Sequence, residues 1–114
     1  MHSALLLDHF QNPRNAGEVP GADLVVEGSN PVCGDILKLW VKTNGERIEK
    51  AGFKCRGCVA SMACGSALTQ LLTGRSLAEA SALTAADVEH AVGGLEQASK
   101  HAAELAVDVV RRLR

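Results

Sequence analysis

Residues 35–54 read DILKLWVKTNGERIEKAGFK. From Asp35 to Thr43 the side chains alternate, with Leu37, Leu39 and Val41 on one parity and Ile36, Lys38, Trp40 and Lys42 on the other. A period of two in an apolar run predicts a strand with one face on a core. Asn44-Gly45 is a hairpin signal. Arg47 to about Lys54 then forms the return strand, with Ile48 and the Ala51/Phe53 pair supplying its apolar face. Upstream, ADLVVEG at 22–28 predicts a third short strand, and residues 2–11 predict a helix that Pro13 closes. The first half therefore reads as a small three-stranded antiparallel meander behind one helix.

Downstream the period changes. CVASMACGSALTQLLTG at 58–74 carries small and apolar residues at helical spacing, and Gly74 is placed to stop that helix. Ser76 and Glu79 have capping-box spacing, and Thr84 with Asp87 opens a further short helix. Gly93-Gly94 break the chain, and a last helix from about Glu96 to Leu113 is expected to bury Ala98, Ala102, Leu105, Val109 and Leu113. It ends in Arg111, Arg112 and Arg114, which suit the negative end of the helix dipole. Strands first and helices after, without alternation, predict an α+β fold in which helices pack on the sheet.

The length of 114 residues predicts a single domain, residues 1–114. A net charge of −1 supplies no basic field for nucleic acid, and no tyrosine and three other aromatic side chains leave no stacking platform for bases. No apolar run approaches the roughly 20 residues of a membrane span, and MHSALLLDHF lacks the basic start and cleavage site of a signal peptide. The expected location is cytoplasmic, where clustered cysteines point to metal or redox chemistry more often than to disulfides.

Three of the four cysteines fall in FKCRGCVASMAC at 53–64, and Cys33 lies upstream in NPVCGD. Cys33 and Asp35 are two apart at a strand entry, so their side chains point to one side. Cys58 follows Gly57 at a strand-to-helix junction, where unpaired backbone N–H groups and the helix dipole favour negative charge. Gly34 and Gly57 allow close approach of a ligand to the backbone. Two loop ends with these residues predict a metal site, against the alternative of inert buried thiols. His101 borders the buried face of the last helix, where its ring can reach such a site. His9 reads as a solvated or hydrogen-bonded helix side chain. Cys64, about 120° around the helix from Cys58, reads as core. Cys55 approaches Cys58 if its strand ends there and packs beside Phe53 if the strand continues. A Cys58/His101 nucleophilic dyad lacks an orienting third group in the sequence.

LLDHFQNPRNAG, CGD, GFKCRGCVAS and a closing H…LA occur in order over the whole chain. Together they resemble the iron–sulfur cluster scaffold family of the IscU and NifU N-terminal type. The resemblance implies a three-stranded sheet backed by helices. It also implies a surface site that builds a [2Fe–2S] cluster from iron and sulfide, with a cysteine desulfurase and apo iron–sulfur acceptor proteins as partners. Carried over position by position, Cys33, Asp35, Cys58 and His101 are the implied ligands of the cluster, of iron or of zinc. The family's third cysteine, expected directly after the histidine, is replaced by Ala102, and its L-P-P-V-K chaperone motif by Leu95-Glu96-Gln97-Ala98-Ser99. Two thiolates, a carboxylate and an imidazole hold a cluster less firmly than three thiolates do, and they suit tetrahedral zinc. The resulting expectation is a non-enzymatic scaffold, monomeric or weakly oligomeric, with no nucleic-acid or membrane partner. The alternatives are a zinc-bound persulfide acceptor and a cluster-free regulatory homologue.

Overall fold

A computed structural model describes residues 1–31 and 34–113. The elements run α1 (Ala4–Gln11), β1 (Leu24–Ser29), β2 (Ile36–Asn44), β3 (Arg47–Arg56), α2 (Val59–Leu72), α3 (Leu77–Ser81), α4 (Ala85–Ala91), a 3₁₀ turn (Gln97–Ser99) and α5 (His101–Arg111). The three strands form one antiparallel sheet in the order β1-β2-β3, so the fold is α+β as the sequence predicts. Among the described residues no helix is long and apolar enough to cross a membrane.

Register follows the alternation. Val41 pairs with Leu24 and Ala51, Leu39 with Val26 and Phe53, and Leu37 with Gly28 and Cys55. Leu37, Leu39 and Val41 are buried beneath the helices. On the other face the Lys38 and Lys54 ammonium groups lie 5.0 and 5.8 Å from the Trp40 ring centroid, covering it by cation–π contact. The β2–β3 ladder shifts register between Lys42 and Thr43, where Thr43 pairs with Ile48 and Lys42 with Lys50. The bulge inverts parity along β3, which is why Ile48 and Ala51, three apart, are both buried. The hairpin loop is Gly45-Glu46 rather than Asn44-Gly45, because Asn44 and Arg47 form the last pair. Gly45 takes φ +67°, the glycine-first pattern of a type II′ turn.

The outer edge of β3 is covered by loops, which removes a template for edge-to-edge pairing. Gly17 N–H donates to the Phe53 carbonyl (2.7 Å), and Phe53 N–H donates to that of Asn15 (3.1 Å). At the other end, Ile48 N–H donates to the Arg75 carbonyl and Gly74 N–H to that of Ile48, each at 2.8 Å.

Helix α2 lies directly on the sheet. A Cβ at Gly65 would stand 2.6 Å from the Phe53 ring, so only glycine permits this approach. Toward its start the other buried positions are small, including Ala60, Ala63, Cys64 and Ala67, and Leu68 and Leu72 fill the core toward its end. Ser76 and Thr84 close the capping boxes expected of them, with Glu79 and Asp87. Helix α2 ends at Leu72 with Thr73 as its cap, and Gly74 follows at φ +91°.

The last helix departs from expectation. It starts at His101, preceded by the 3₁₀ turn, and Ala98 is exposed instead of buried. Glu89 ties both ends of this stretch to α4, its carboxylate accepting from Leu95 N–H (3.4 Å) and from Lys100 Nζ (2.8 Å) across a path that holds only a 3₁₀ turn. Ala102, Leu105, Val109 and Leu113 are buried as the stripe predicts. Helix α5 also crosses β1 at Gly28, where an added Cβ would meet Val109 Cγ2 at 2.8 Å.

Candidate metal centre

The site forms where β2 begins, α2 begins and α5 begins. Asp35 directly precedes β2 and is 4% exposed. Gly57 leaves the space its side chain fills, since a Cβ there would fall 2.5 Å from Asp35 Cγ and 2.6 Å from Oδ1. Cys58 is the N-cap of α2, extended at φ −73° and ψ 166°, and its sulfur accepts from Ser61 N–H at 3.4 Å. Its thiol is exposed. His101 opens α5 on the same side.

The donors converge. His101 Nε2 is 3.8 Å from Cys58 Sγ and 3.6 Å from Asp35 Oδ2. The three donor atoms all lie within 4.8 Å of one another, the one cluster of metal-ligand type among the described residues. Tetrahedral bonds of about 2.0–2.3 Å place neighbouring donors about 3.3–3.8 Å apart, so the two edges at His101 Nε2 match those around a bound ion. A catalytic triad uses the two ring nitrogens of histidine for separate partners. Here the thiol and the carboxylate face the same nitrogen, which is the arrangement of ligands around a shared centre.

Burial raises the Asp35 carboxyl, but hydrogen bonds from Ser61 and from the Cys58 thiol and amide, with the His101 charge, outweigh it and hold the group below its usual range. Asp35 is thus an anion well below neutral pH. The Ser61 hydroxyl, 2% exposed, donates to Asp35 Oδ2 at 2.6 Å and lies 3.4 Å from Cys58 Sγ. Sequence reasoning missed this residue. Its signal was its place three residues after an N-cap, where a side chain and an amide both turn back to the cap.

Cys33 lies outside the described residues. Cys55 stays in β3, which continues to Arg56, and packs half-buried against the core beside Phe53. Burial, then the charges of Asp35 and Cys58, push its thiol up to about 12. Cys64 is fully buried on α2, and burial first of all raises it to about 12 as well, so both are neutral thiols. His9 is buried on α1, where its Nδ1 lies 2.8 Å from Ser66 Oγ. Arg14 N–H donates to the same oxygen (2.8 Å), and Asn15 Nδ2 donates to Thr69 Oγ1 (3.0 Å). The DHFQNPRNAG stretch thereby pins α1 and the following loop onto α2.

A profile of the NifU-like N terminal domain matches residues 1–112. The chain belongs to the NifU-like N-terminal domain family. Iron–sulfur cluster assembly scaffold protein IscU 1 of Archaeoglobus fulgidus is 41% identical over 112 residues, which are 98% of this chain and 73% of that protein. The Escherichia coli scaffold IscU is 37% identical over 115 residues, covering 96% and 88% of the two chains. The zinc-dependent sulfurtransferase SufU of Bacillus subtilis is 39% identical over 77 residues, 68% of this chain and 52% of SufU. The crystal structure of FiSufU from Fervidobacterium islandicum AW-1 has the same fold, with a TM-score of 0.79 over 98% of this chain and 95% of its own at 18% identity. Within this NifU-like domain, the implied ligands Asp35, Cys58 and His101 come from segments 23 and 43 residues apart in sequence and meet at one point.

Proposed function

We propose that the protein is an iron–sulfur cluster assembly scaffold that assembles a labile [2Fe–2S] cluster on Cys58, Asp35, His101 and Cys33 and passes it to apo-proteins. What supports this reading is the convergence of thiol, carboxylate and imidazole on one point at three element ends, in a family whose relatives are named as such scaffolds. The donor chemistry fits. Thiolate suits iron and sulfide, imidazole can replace a thiolate on one iron, and carboxylate is a hard, exchangeable ligand that keeps the product releasable. The chain acts as a carrier, and the partners this reading requires are a cysteine desulfurase and apo iron–sulfur proteins.

Sulfur arrives by exchange. The exposed Cys58 thiolate, or that of Cys33, attacks the outer sulfur of a desulfurase persulfide, takes that sulfur and releases the desulfurase thiolate. Reduction of the new persulfide to sulfide takes two electrons from an external donor. Cys55 and Cys64, held neutral by burial, do not compete for the sulfur.

A second reading is favoured by the spacing of 3.6 and 3.8 Å around His101 Nε2, which suits tetrahedral zinc, and by the likeness to SufU. There the protein would relay persulfide sulfur beside a bound zinc ion. Anaerobic reconstitution with iron, cysteine and a desulfurase, followed by visible absorption and metal analysis, separates the two. The expected result is a visible charge-transfer spectrum in wild type that is lost in Cys58→Ser. Zinc retention without a cluster would favour the second reading, and equal metal content in wild type and Cys58→Ser would overturn both.

A further inference from the structure

Asp35 turns one particular oxygen, Oδ2, toward His101. Oδ1 lies against Gly57, where an added Cβ would stand 2.6 Å away. Oδ2 is the oxygen 3.6 Å from His101 Nε2, and it already accepts the Ser61 hydroxyl at 2.6 Å. A supporting hydrogen bond to a ligating carboxylate ordinarily engages the oxygen that the metal leaves free. Here it engages the oxygen that faces His101.

Ser61 is also held in place. It is 2% exposed, and its amide is fixed to Cys58 Sγ at 3.4 Å within the first turn of α2. Its hydroxyl has a single proton, which goes to Oδ2, while its lone pairs face the Cys58 thiol at 3.4 Å. An ion bound at the triangle must therefore share Oδ2 with that proton or displace it.

We infer that Ser61 is a positioning residue that competes with the metal for Asp35, occupying the carboxylate oxygen that faces His101 and so keeping Asp35 a weak, readily released ligand. The inference rests on the scaffold reading, in which cargo must leave. A hydroxyl that merely oriented Asp35 for ligation would act in the opposite sense, because losing such an orienting partner weakens metal binding by about ten- to hundredfold. The sign of the effect separates the two.

Zinc affinity of the apo-protein, measured by competition with a chromophoric chelator, is the test. Ser61→Ala should bind zinc about tenfold more tightly, the loss of one hydrogen bond to a charged group expressed as affinity. Ser61→Thr, which keeps the hydroxyl, should bind as wild type does. In an Asp35→Ala background the gain from Ser61→Ala should vanish, since the competition needs the carboxylate. The thiolate-to-cobalt charge-transfer band of each cobalt-loaded variant confirms that Cys58 still ligates. Should Ser61→Ala fail to fold, Ser61→Thr against Ser61→Val repeats the comparison with side chains of one shape. Unchanged or weaker binding without the hydroxyl, or an equal gain without Asp35, overturns the inference. Wild type that binds zinc while Ser61→Ala shows no gain removes this inference alone. Wild type that takes up neither zinc nor a cluster removes the scaffold reading with it.

Discussion

Replacing Gly57 with alanine perturbs the site through a single methyl group. The added Cβ would stand 2.5 Å from Asp35 Cγ, 2.6 Å from Oδ1 and 2.9 Å from Cβ. Carbon atoms rest at about 3.5–4.0 Å, so the carboxylate must retreat by about 1 Å. Gly57 does not have a positive φ, so the backbone accepts alanine and the cost is the collision itself. The retreat pulls Oδ2 from Ser61, 2.6 Å away, and from the His101 ring. Losing a hydrogen bond to a charged group costs about 1.5–3 kcal/mol, and overpacking costs about 1–3 kcal/mol. Relaxation trades one against the other, so the expected loss is about 3 kcal/mol, or a Tm lower by about 10 °C for a chain of this size. The assay is thermal unfolding of the apo-protein followed by circular dichroism, with zinc affinity measured alongside. In an Asp35→Ala background the two shortest contacts disappear, so Gly57→Ala should then cost less than half as much. A Tm within about 1 °C of wild type in the single variant, or an undiminished loss in the Asp35→Ala background, would refute the packing argument.

Three further outcomes are expected. Cys64→Ala removes a fully buried sulfur from the α2 core and should cost roughly 1–2 kcal/mol in urea unfolding while leaving metal content unchanged; a loss of metal would return Cys64 to the site. Ala102→Cys places a thiol beside His101 and should lengthen the lifetime of a reconstituted cluster, read from its visible absorbance in the presence of an acceptor; an unchanged lifetime would count against a missing thiolate as the source of lability. Burial, and after it the charge of Arg14, push His9 below its ordinary value against the opposing pull of Asp8. The unfolded state therefore binds more protons, and stability should fall as pH drops below about 6.5. His9→Gln should flatten that fall in urea midpoints, and an equal decline in both proteins would assign it elsewhere.

Much of the fold was legible because it rests on local periods. Leu37, Leu39 and Val41 announce the buried face of β2, and Ser76/Glu79 and Thr84/Asp87 announce helix starts, since each signal spans no more than a few residues. The start of α5 was not legible. Residues 95–100 have the composition of a helix, yet they form only a 3₁₀ turn whose two ends are tied to the Glu89 carboxylate of the preceding helix. The bulge that buries both Ile48 and Ala51 was equally hidden, because it is a property of the pairing between two strands.

For the site, residue types and glycine neighbours marked Asp35 and Cys58 as candidates, and the resemblance singled out His101 from four histidines. Nothing along the chain says that the thiol and the carboxylate meet the same nitrogen of His101, or that Ser61 takes the oxygen turned toward it. Those relations join residues 26, 43 and 66 positions apart. They depend on distances of tenths of an ångström, set by how closely α2 descends onto the sheet at Gly65 and by the space left at Gly57. A sequence can name the donors from their chemistry. Which oxygen faces the ion, and what already occupies it, follows from packing.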